Sequence, residues 1–208
     1  MRKIIISLMF VGLTLTSSIV SATMILAVTS FSGGNESISS GTDLPRLVGW
    51  NLFVNSDMSV SSLGFWDQGL IGLSAAHQIG LWDSNGTLLS DVIVQAGTSS
   101  TLIDGWRYET IAAIMLNAGS SYTIGSTISL NDDTYIWSPS TVSTTGDITF
   151  GNGVRGSENI SFEFPTLESN SGRFVPNFIY STIEVSEPSL LGLLSLGLVL
   201  LIQRRRAD

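Results

Sequence analysis

Polar and apolar residues alternate along much of this chain. In residues 120–130 the apolar side chains of Tyr122, Ile124, Ile128 and Leu130 share one parity, and serine, threonine and glycine occupy the other. The same period of two recurs in the stretches LVGWNLFV and SFEF. A period of two is typical of β-strands that bury one face, so each of these stretches is predicted to be a strand. No long window keeps a helical period.

Turn signals separate the predicted strands. Asn85-Gly86 stands between QIGLW and LLSDVIV, and this dipeptide is a strong hairpin signal. GFWDQG and GLWDSNG share Gly-x-Trp-Asp, and we expect Asp67 and Asp83 to accept hydrogen bonds from turn backbone. Short strands about 8–12 residues apart with glycine-rich turns predict an all-β fold, an antiparallel β-sandwich of jelly-roll or immunoglobulin-like type.

The N-terminal residues have the pattern of an export signal. Arg2 and Lys3 precede an apolar stretch over residues 4–15, and small residues follow up to Ala22. This order predicts a signal helix that signal peptidase removes after Ala22. The alternative is an uncleaved anchor helix, although polar residues interrupt the apolar stretch.

The C-terminal residues contain a second apolar run. Fourteen largely apolar residues, 189–202, precede Gln203 and the cluster Arg204, Arg205 and Arg206. As a helix this run is about 21 Å long, against a hydrocarbon core of about 30 Å, so it predicts a short transmembrane helix. Arginines stay on the cytoplasmic side, so the run would anchor an exported body in the membrane.

The tail resembles a known sorting signal. Val185-Ser186-Glu187-Pro188, a leucine- and glycine-rich run and a terminal arginine cluster are similar to the PEP-CTERM signal of exopolysaccharide-producing Gram-negative bacteria. Glu187 and Pro188 match the motif, whereas Ser186 stands where its first proline is expected. The resemblance implies that an exosortase-type enzyme removes the tail after transient anchoring in the inner membrane. The alternative is an ordinary C-terminal anchor.

The body resembles a domain of unknown function common among PEP-CTERM proteins. The similarity spans residues 48–125 and rests on AAHQIGLWDSNGTLL, GWRYETI and LNAGSSYTIG. It implies a β-sandwich and carries no known activity. The predicted organisation is therefore a signal peptide over residues 1–22, an exported β-sandwich over 23–185 and a sorting tail over 186–208.

Charge excludes one class of partner. The protein has nine basic and seventeen acidic residues, and five of the basic residues lie in the two terminal segments. The body keeps four arginines and fifteen acidic residues, a net charge of −11. Nucleic-acid binding requires a basic face, so no nucleic-acid partner is expected.

The residues needed for common catalytic sites are scarce. Cysteine is absent, and His77 is the only histidine; it shares parity with apolar strand residues and is predicted to be half-buried and structural. A Gly-x-Ser-x-Gly elbow is also absent. A calcium loop starting at Asp83 would place Val94 where a glutamate is needed. No cofactor or enzymatic activity is expected, although an irregular Ca²⁺ site near residues 131–133 stays open.

Tryptophan is the one residue type that suggests binding. The chain has five: Trp50, Trp66, Trp82, Trp106 and Trp137. Most are expected to fill the core, whereas Trp66 and Trp82 lie near turns and are the candidates for glycan contact.

These observations favour an exported, non-catalytic structural or adhesive protein of the cell surface. The resemblance to PEP-CTERM proteins implies a component of an extracellular, biofilm-associated exopolysaccharide matrix. The first alternative is a carbohydrate-binding module, which requires two tryptophans exposed on one face. Further alternatives are a membrane-anchored periplasmic protein and a hydrolase, which requires two carboxylates about 5–10 Å apart across a cleft.

Overall fold

The computed structural model describes residues 23–37, 46–128, 133–137, 139, 141–157, 162–169 and 173–183. Outside the described residues lie the predicted cleavage site and sorting tail, including Ala22, Glu187, Pro188, Arg204, Arg205 and Arg206. Within the described residues, no helix is long and apolar enough to cross a membrane.

The described chain is built of β-strands and one 3₁₀ turn, Gln68–Leu70. The strands are β1 (Ile25–Leu26), β2 (Val28–Ser32), β3 (Asn35–Ser37), β4 (Arg46–Val54), β5 (Met58–Trp66), β6 (His77–Asp83), β7 (Leu88–Val94), β8 (Thr101–Ile103), β9 (Trp106–Leu116), β10 (Ser121–Ile128), β11 (Tyr135–Trp137), β12 (Thr141–Thr144), β13 (Ile148–Arg155), β14 (Leu167–Ser169), β15 (Arg173–Phe174) and β16 (Pro176–Thr182).

Two large antiparallel sheets form the body. One has the order β1-β16-β5-β9-β8 and the other the order β14-β13-β4-β10-β6-β7. Smaller sheets, β15-β11-β3 and β12-β2, lie beside them. One apolar cluster contains residues from both large sheets. The all-β, antiparallel prediction is therefore confirmed, and the fold is β-sandwich-like.

Alternation along β4 places one set of residues in the core. Trp50 and Leu52 are buried there, whereas Phe53 is exposed on the opposite face. The Trp50 ring stacks on Phe178 of β16, with centroids 6.1 Å apart, and its Nε1 donates a 2.9 Å hydrogen bond to the carbonyl of Pro176. Trp50 thus joins the two sheets with both its apolar body and its one polar atom.

The hairpin predicted at Asn85-Gly86 is confirmed. It joins β6 to β7, and Gly86 has φ = 82°, a conformation that glycine adopts readily. The Asp83 carboxylate accepts hydrogen bonds from the backbone amides of Asn85 and Thr87, at 2.9 and 2.8 Å. The hydrogen bond from the Thr87 amide is the main cause that lowers the pKa of Asp83.

The strand predicted from SFEF is wrong. Residues 162–166 form no strand. Phe162 and Phe164 instead cover Trp82 on the outer face of the six-stranded sheet, with ring centroids 5.1 and 6.4 Å away. Alternating aromatics are equally compatible with an extended segment that packs on a sheet, and here packing alone accounts for the pattern.

Candidate functional site

A groove opens on the outer face of the six-stranded sheet, with a volume of about 560 Å³. Its floor consists of side chains in two cross-strand rows. Phe53 of β4 lies in the first row, between its register partners Thr149 of β13 and Ser121 of β10. The second row pairs Asn51 with Thr123. Directly paired residues in a sheet have Cβ atoms about 4.5–5.5 Å apart, so each row presents closely spaced groups.

An irregularity in β13 shapes this floor. The register between β13 and β4 shifts between Phe150 and Gly153, so residues 151 and 152 form a bulge beside Asn51. A Cβ atom on Gly151 would lie 3.0 Å from the backbone carbonyl oxygen of Asn51. A side chain at this position would crowd the strand, so glycine allows the bulge to lie close against β4.

The walls of the groove come from two other segments. Phe164, Pro165 and Thr166 contribute one part, together with Glu168 of β14 and Ser84 from the β6–β7 turn. Neither of these segments belongs to the floor strands β4, β10 and β13. The groove therefore exists only when the turn and residues 164–168 are packed against the sheet.

The groove combines hydrogen-bonding groups with an exposed aromatic ring. Phe53 is 42% exposed. The Thr123 hydroxyl donates a 2.8 Å hydrogen bond to Asn51 Oδ1. This bond engages the side-chain oxygen of Asn51. Among the described residues, no acceptor is bonded to the Asn51 side-chain NH₂ group. Glu168 is the only charged residue among the described lining residues. The described groove thus offers hydroxyls, an amide and an aromatic face without a cation.

The two candidate glycan contacts, Trp66 and Trp82, do not form a joint platform. Trp82 belongs to the six-stranded sheet, is 3% exposed and lies under Phe162. Trp66 belongs to the five-stranded sheet, is half-buried and meets Phe31 edge to face at 5.4 Å. The described tryptophan side chains do not include two that are exposed on one face. Trp82 instead supports a wall of the groove through Phe164.

His77 is fully buried, not half-buried as predicted. Its ring stacks on Phe65 with centroids 3.6 Å apart. Nδ1 lies 2.8 Å from the carbonyl oxygen of Thr127, and Nε2 lies 2.9 Å from the carboxylate of Asp133. Both ring nitrogens are therefore engaged inside the fold.

Asp133 completes this arrangement from the other side. Its carboxylate also accepts hydrogen bonds from the backbone amides of Ser74 and Ala75, at 2.8 to 3.2 Å. Burial opposes ionisation of this carboxyl, but the hydrogen bonds from His77 and the two amides outweigh burial and lower the pKa of Asp133. The residues of the open Ca²⁺ prediction that precede Asp133 lie outside the described residues. Among those described, no three acidic, histidine or cysteine residues cluster as metal ligands.

A second buried polar cluster escaped the sequence analysis. Arg107 Nε donates to Asp67 Oδ2 at 2.7 Å, and Arg107 Nη1 donates to the carbonyls of Thr98 and Ser100. Asp67 also accepts from the amide of Gly72, which confirms its predicted turn contact. The sequence signal for the pair was an arginine on a strand between Trp106 and Tyr108, both of which are buried.

The fold and the groove define an all-β, β-sandwich-like module with an aromatic and hydrogen-bonding groove among its described residues. The family model for a domain of unknown function, DUF4082, matches residues 34–175. The chain therefore belongs to this family. The match includes the whole of residues 48–125, on which the resemblance of the body to a domain of unknown function rested. A comparison with curated proteins finds no match.

Proposed function

We propose that this protein is an exported, non-catalytic adhesive module that is sorted through its C-terminal tail and adheres to extracellular material through the groove. The observation that carries the adhesive part is the groove itself. An exposed Phe53 ring lies among hydroxyl and amide groups on a sheet whose inner face is packed in the core. Sites that bind ligands combine apolar surface with a few polar groups in this way.

The chemistry of the described groups supports a non-catalytic role. The ring nitrogens of His77 are bonded to Thr127 and Asp133 in the core, away from the groove. The described lining residues of the groove include one carboxylate, that of Glu168. A glycoside hydrolase of the usual kind needs two carboxylates about 5–10 Å apart. The groove therefore has the features of a binding surface.

The export part of the proposal rests on the sequence of the two terminal segments. The signal peptide would be removed after Ala22, and the apolar run 189–202 would hold the body at the inner membrane as a short helix. An exosortase-type enzyme would then act at Glu187-Pro188 and release the body to the surface or to an exopolysaccharide matrix. A body without lysine and with a net charge of −11 would stay well solvated after release.

The test is the intact mass of the protein from its native host, measured separately in culture medium and inner membrane. The proposal predicts a released species that begins at Thr23 and ends near Pro188. A protein found only in the membrane fraction with its full tail would contradict release and leave an anchored periplasmic protein.

A substitution in the motif sharpens this test. Glu187→Ala should leave the tail attached and retain the protein in the inner membrane, because the processing enzyme would lose a recognised carboxylate. Glu184→Ala, which lies outside the motif, is the matched control and should be released normally. Normal release of Glu187→Ala would contradict processing at this motif.

A further inference from the structure

We propose that the groove binds a neutral saccharide chain, with Phe53 under a sugar ring and with Asn51, Ser121 and Thr149 bonded to its hydroxyls. The inference rests on the proposed function, because it identifies the material to which the groove adheres. Four properties of the groove lead to it.

The first property is the position of the aromatic ring. Phe53 is flanked in its row by Thr149 and Ser121, which both carry hydroxyls. The Thr149 hydroxyl accepts a 3.1 Å hydrogen bond from Asn55 Nδ2, and its second lone pair is left to accept from a ligand hydroxyl. The C–H face of a sugar ring packs on an aromatic face, while its equatorial hydroxyls project sideways. The row places hydroxyl partners on both sides of the ring, at the spacing of neighbouring strands. A sugar ring stacked on Phe53 would therefore reach hydrogen-bonding groups at both of its edges.

The second property is the balance of donors and acceptors. Serine and threonine hydroxyls both donate and accept, as sugar hydroxyls do. The bond from Thr123 fixes Asn51 Oδ1 at 2.8 Å, so the Asn51 amide group is oriented as a donor. A ligand that carries many hydroxyls satisfies both kinds of group, whereas a purely apolar ligand would leave them without partners.

The third property is charge. The Glu168 carboxylate stands at the groove with the Asn152 amide 3.5 Å away, and no cation stands among the described lining residues. A uronate or sulfate group bound there would face a like charge without a compensating cation, which is unfavourable. The groove therefore favours neutral sugars over acidic ones.

The fourth property separates a saccharide from a peptide. The floor strands β4 and β10 are internal, because β13, β4, β10 and β6 are adjacent in the sheet. Their backbone amides and carbonyls are used by neighbouring strands, so a peptide cannot add to the sheet at β4 or β10. At β4 and β10 only side chains can contact a ligand. This favours a saccharide, which has no peptide backbone to pair with a strand.

The experiment is isothermal titration of the protein with defined oligosaccharides of matched length, using protein recovered from its host, from the medium or from the membrane. The neutral set contains oligomers of glucose, galactose and mannose, and the acidic set contains oligouronates and sulfated oligomers. We expect at least one neutral oligomer to bind, with an affinity that changes little between low and high salt. Tighter binding of the acidic set, or no binding of any neutral oligomer by a folded protein, would overturn the inference.

Variants locate the site. Phe53→Ala should weaken binding about tenfold or more, because the stacking surface is lost. Leu102→Ala is the matched control, since Leu102 is 40% exposed but lies on β8 of the other sheet, and its binding should be unchanged. Equal binding by Phe53→Ala and the parent protein would overturn the placement of the site.

The charge of the groove has its own variant. Glu168→Gln should increase binding of oligouronates, because the like charge is removed. No gain of acidic binding would overturn the role given to Glu168. This titration is independent of where the host places the protein. A released protein that binds no neutral sugar would contradict the inference alone, whereas an unreleased protein that binds it would contradict sorting alone.

Discussion

The groove and the buried polar clusters differ in what satisfies their polar groups. Asp67 and Arg107 are almost completely buried, and their charged atoms bond to each other and to nearby backbone. In the groove, Asn51 and Ser121 lie beside the exposed ring of Phe53. Thr123 bonds the Asn51 side-chain oxygen, but among the described residues no acceptor is bonded to the Asn51 amide group or to the Ser121 hydroxyl. Buried groups with complete sets of partners contribute to the fold, whereas groups left open beside an aromatic ring are suited to a ligand.

The largest loss of stability is expected when the buried Asp67–Arg107 pair is broken. Asp67→Asn keeps the shape of the side chain but leaves the Arg107 guanidinium buried without its counter-charge. Loss of one partner of a buried pair costs about 3–5 kcal/mol, so the free energy of unfolding should fall by that amount in chemical denaturation. Asp91→Asn, which changes an exposed carboxylate, is the control. It should change the free energy of unfolding by about 0.5 kcal/mol or less. Similar losses for both variants would contradict the distinction.

An intermediate effect is expected from Asp133. Asp133→Asn weakens charge-assisted hydrogen bonds to His77 and to two amides and should cost about 1.5–3 kcal/mol at neutral pH. Circular dichroism during denaturation would measure this loss. A loss no larger than that of Asp91→Asn would show that the hydrogen bonds of Asp133 do not stabilise the fold.

The same residue predicts a pH dependence. The pKa of Asp133 is lowered in the folded protein, so the folded state keeps the ionised form to lower pH than the unfolded chain does. The contribution of Asp133 to stability is complete above its ordinary pKa of 3.8. It is lost as pH falls through the lowered pKa of the folded state. The free energy of unfolding should therefore decline less steeply below pH 4 in Asp133→Asn than in the parent protein. Parallel acid limbs in the two proteins would contradict the assignment.

The smallest effect on stability is expected in the groove. Phe53→Ala removes a side chain that is already 42% exposed and should lower the free energy of unfolding by about 1 kcal/mol or less. Thermal and chemical denaturation would both measure it. A loss of about 3 kcal/mol or more would place Phe53 among the residues that hold the core and would weaken its assignment to a ligand.

Local features of this fold were predictable because they depend on neighbouring residues. The alternation in β4 and β10, the hairpin at Asn85-Gly86 and the turn contacts of Asp67 and Asp83 all follow from short stretches of sequence. Their physical causes, side-chain parity and the hydrogen bonds of a turn, act over a few residues. The fold class follows from the same signals, whereas the jelly-roll or immunoglobulin-like type stays a prediction.

The groove was not predictable because it depends on register between distant strands. Phe53 meets Thr149 and Ser121 only after β13 and β10 have paired with β4, and the bulge at Gly151 alters that register. Among the tryptophans, Trp82 was a candidate for glycan contact, but its ring is covered. The exposed aromatic ring of the groove belongs to Phe53. The Asp67–Arg107 pair was missed for the same reason, since 40 residues separate its members.

The most direct test of the account measures binding and stability together in two variants, Phe53→Ala and Asp67→Asn. Each protein is titrated with the neutral oligosaccharide that the parent binds, at a temperature where both variants remain folded, and each is then unfolded in denaturant. The account predicts that Phe53→Ala loses binding and keeps its stability, while Asp67→Asn loses stability and keeps its binding. Retained binding in Phe53→Ala, or loss of binding and stability together in both variants, would contradict the division between a ligand groove and a structural core.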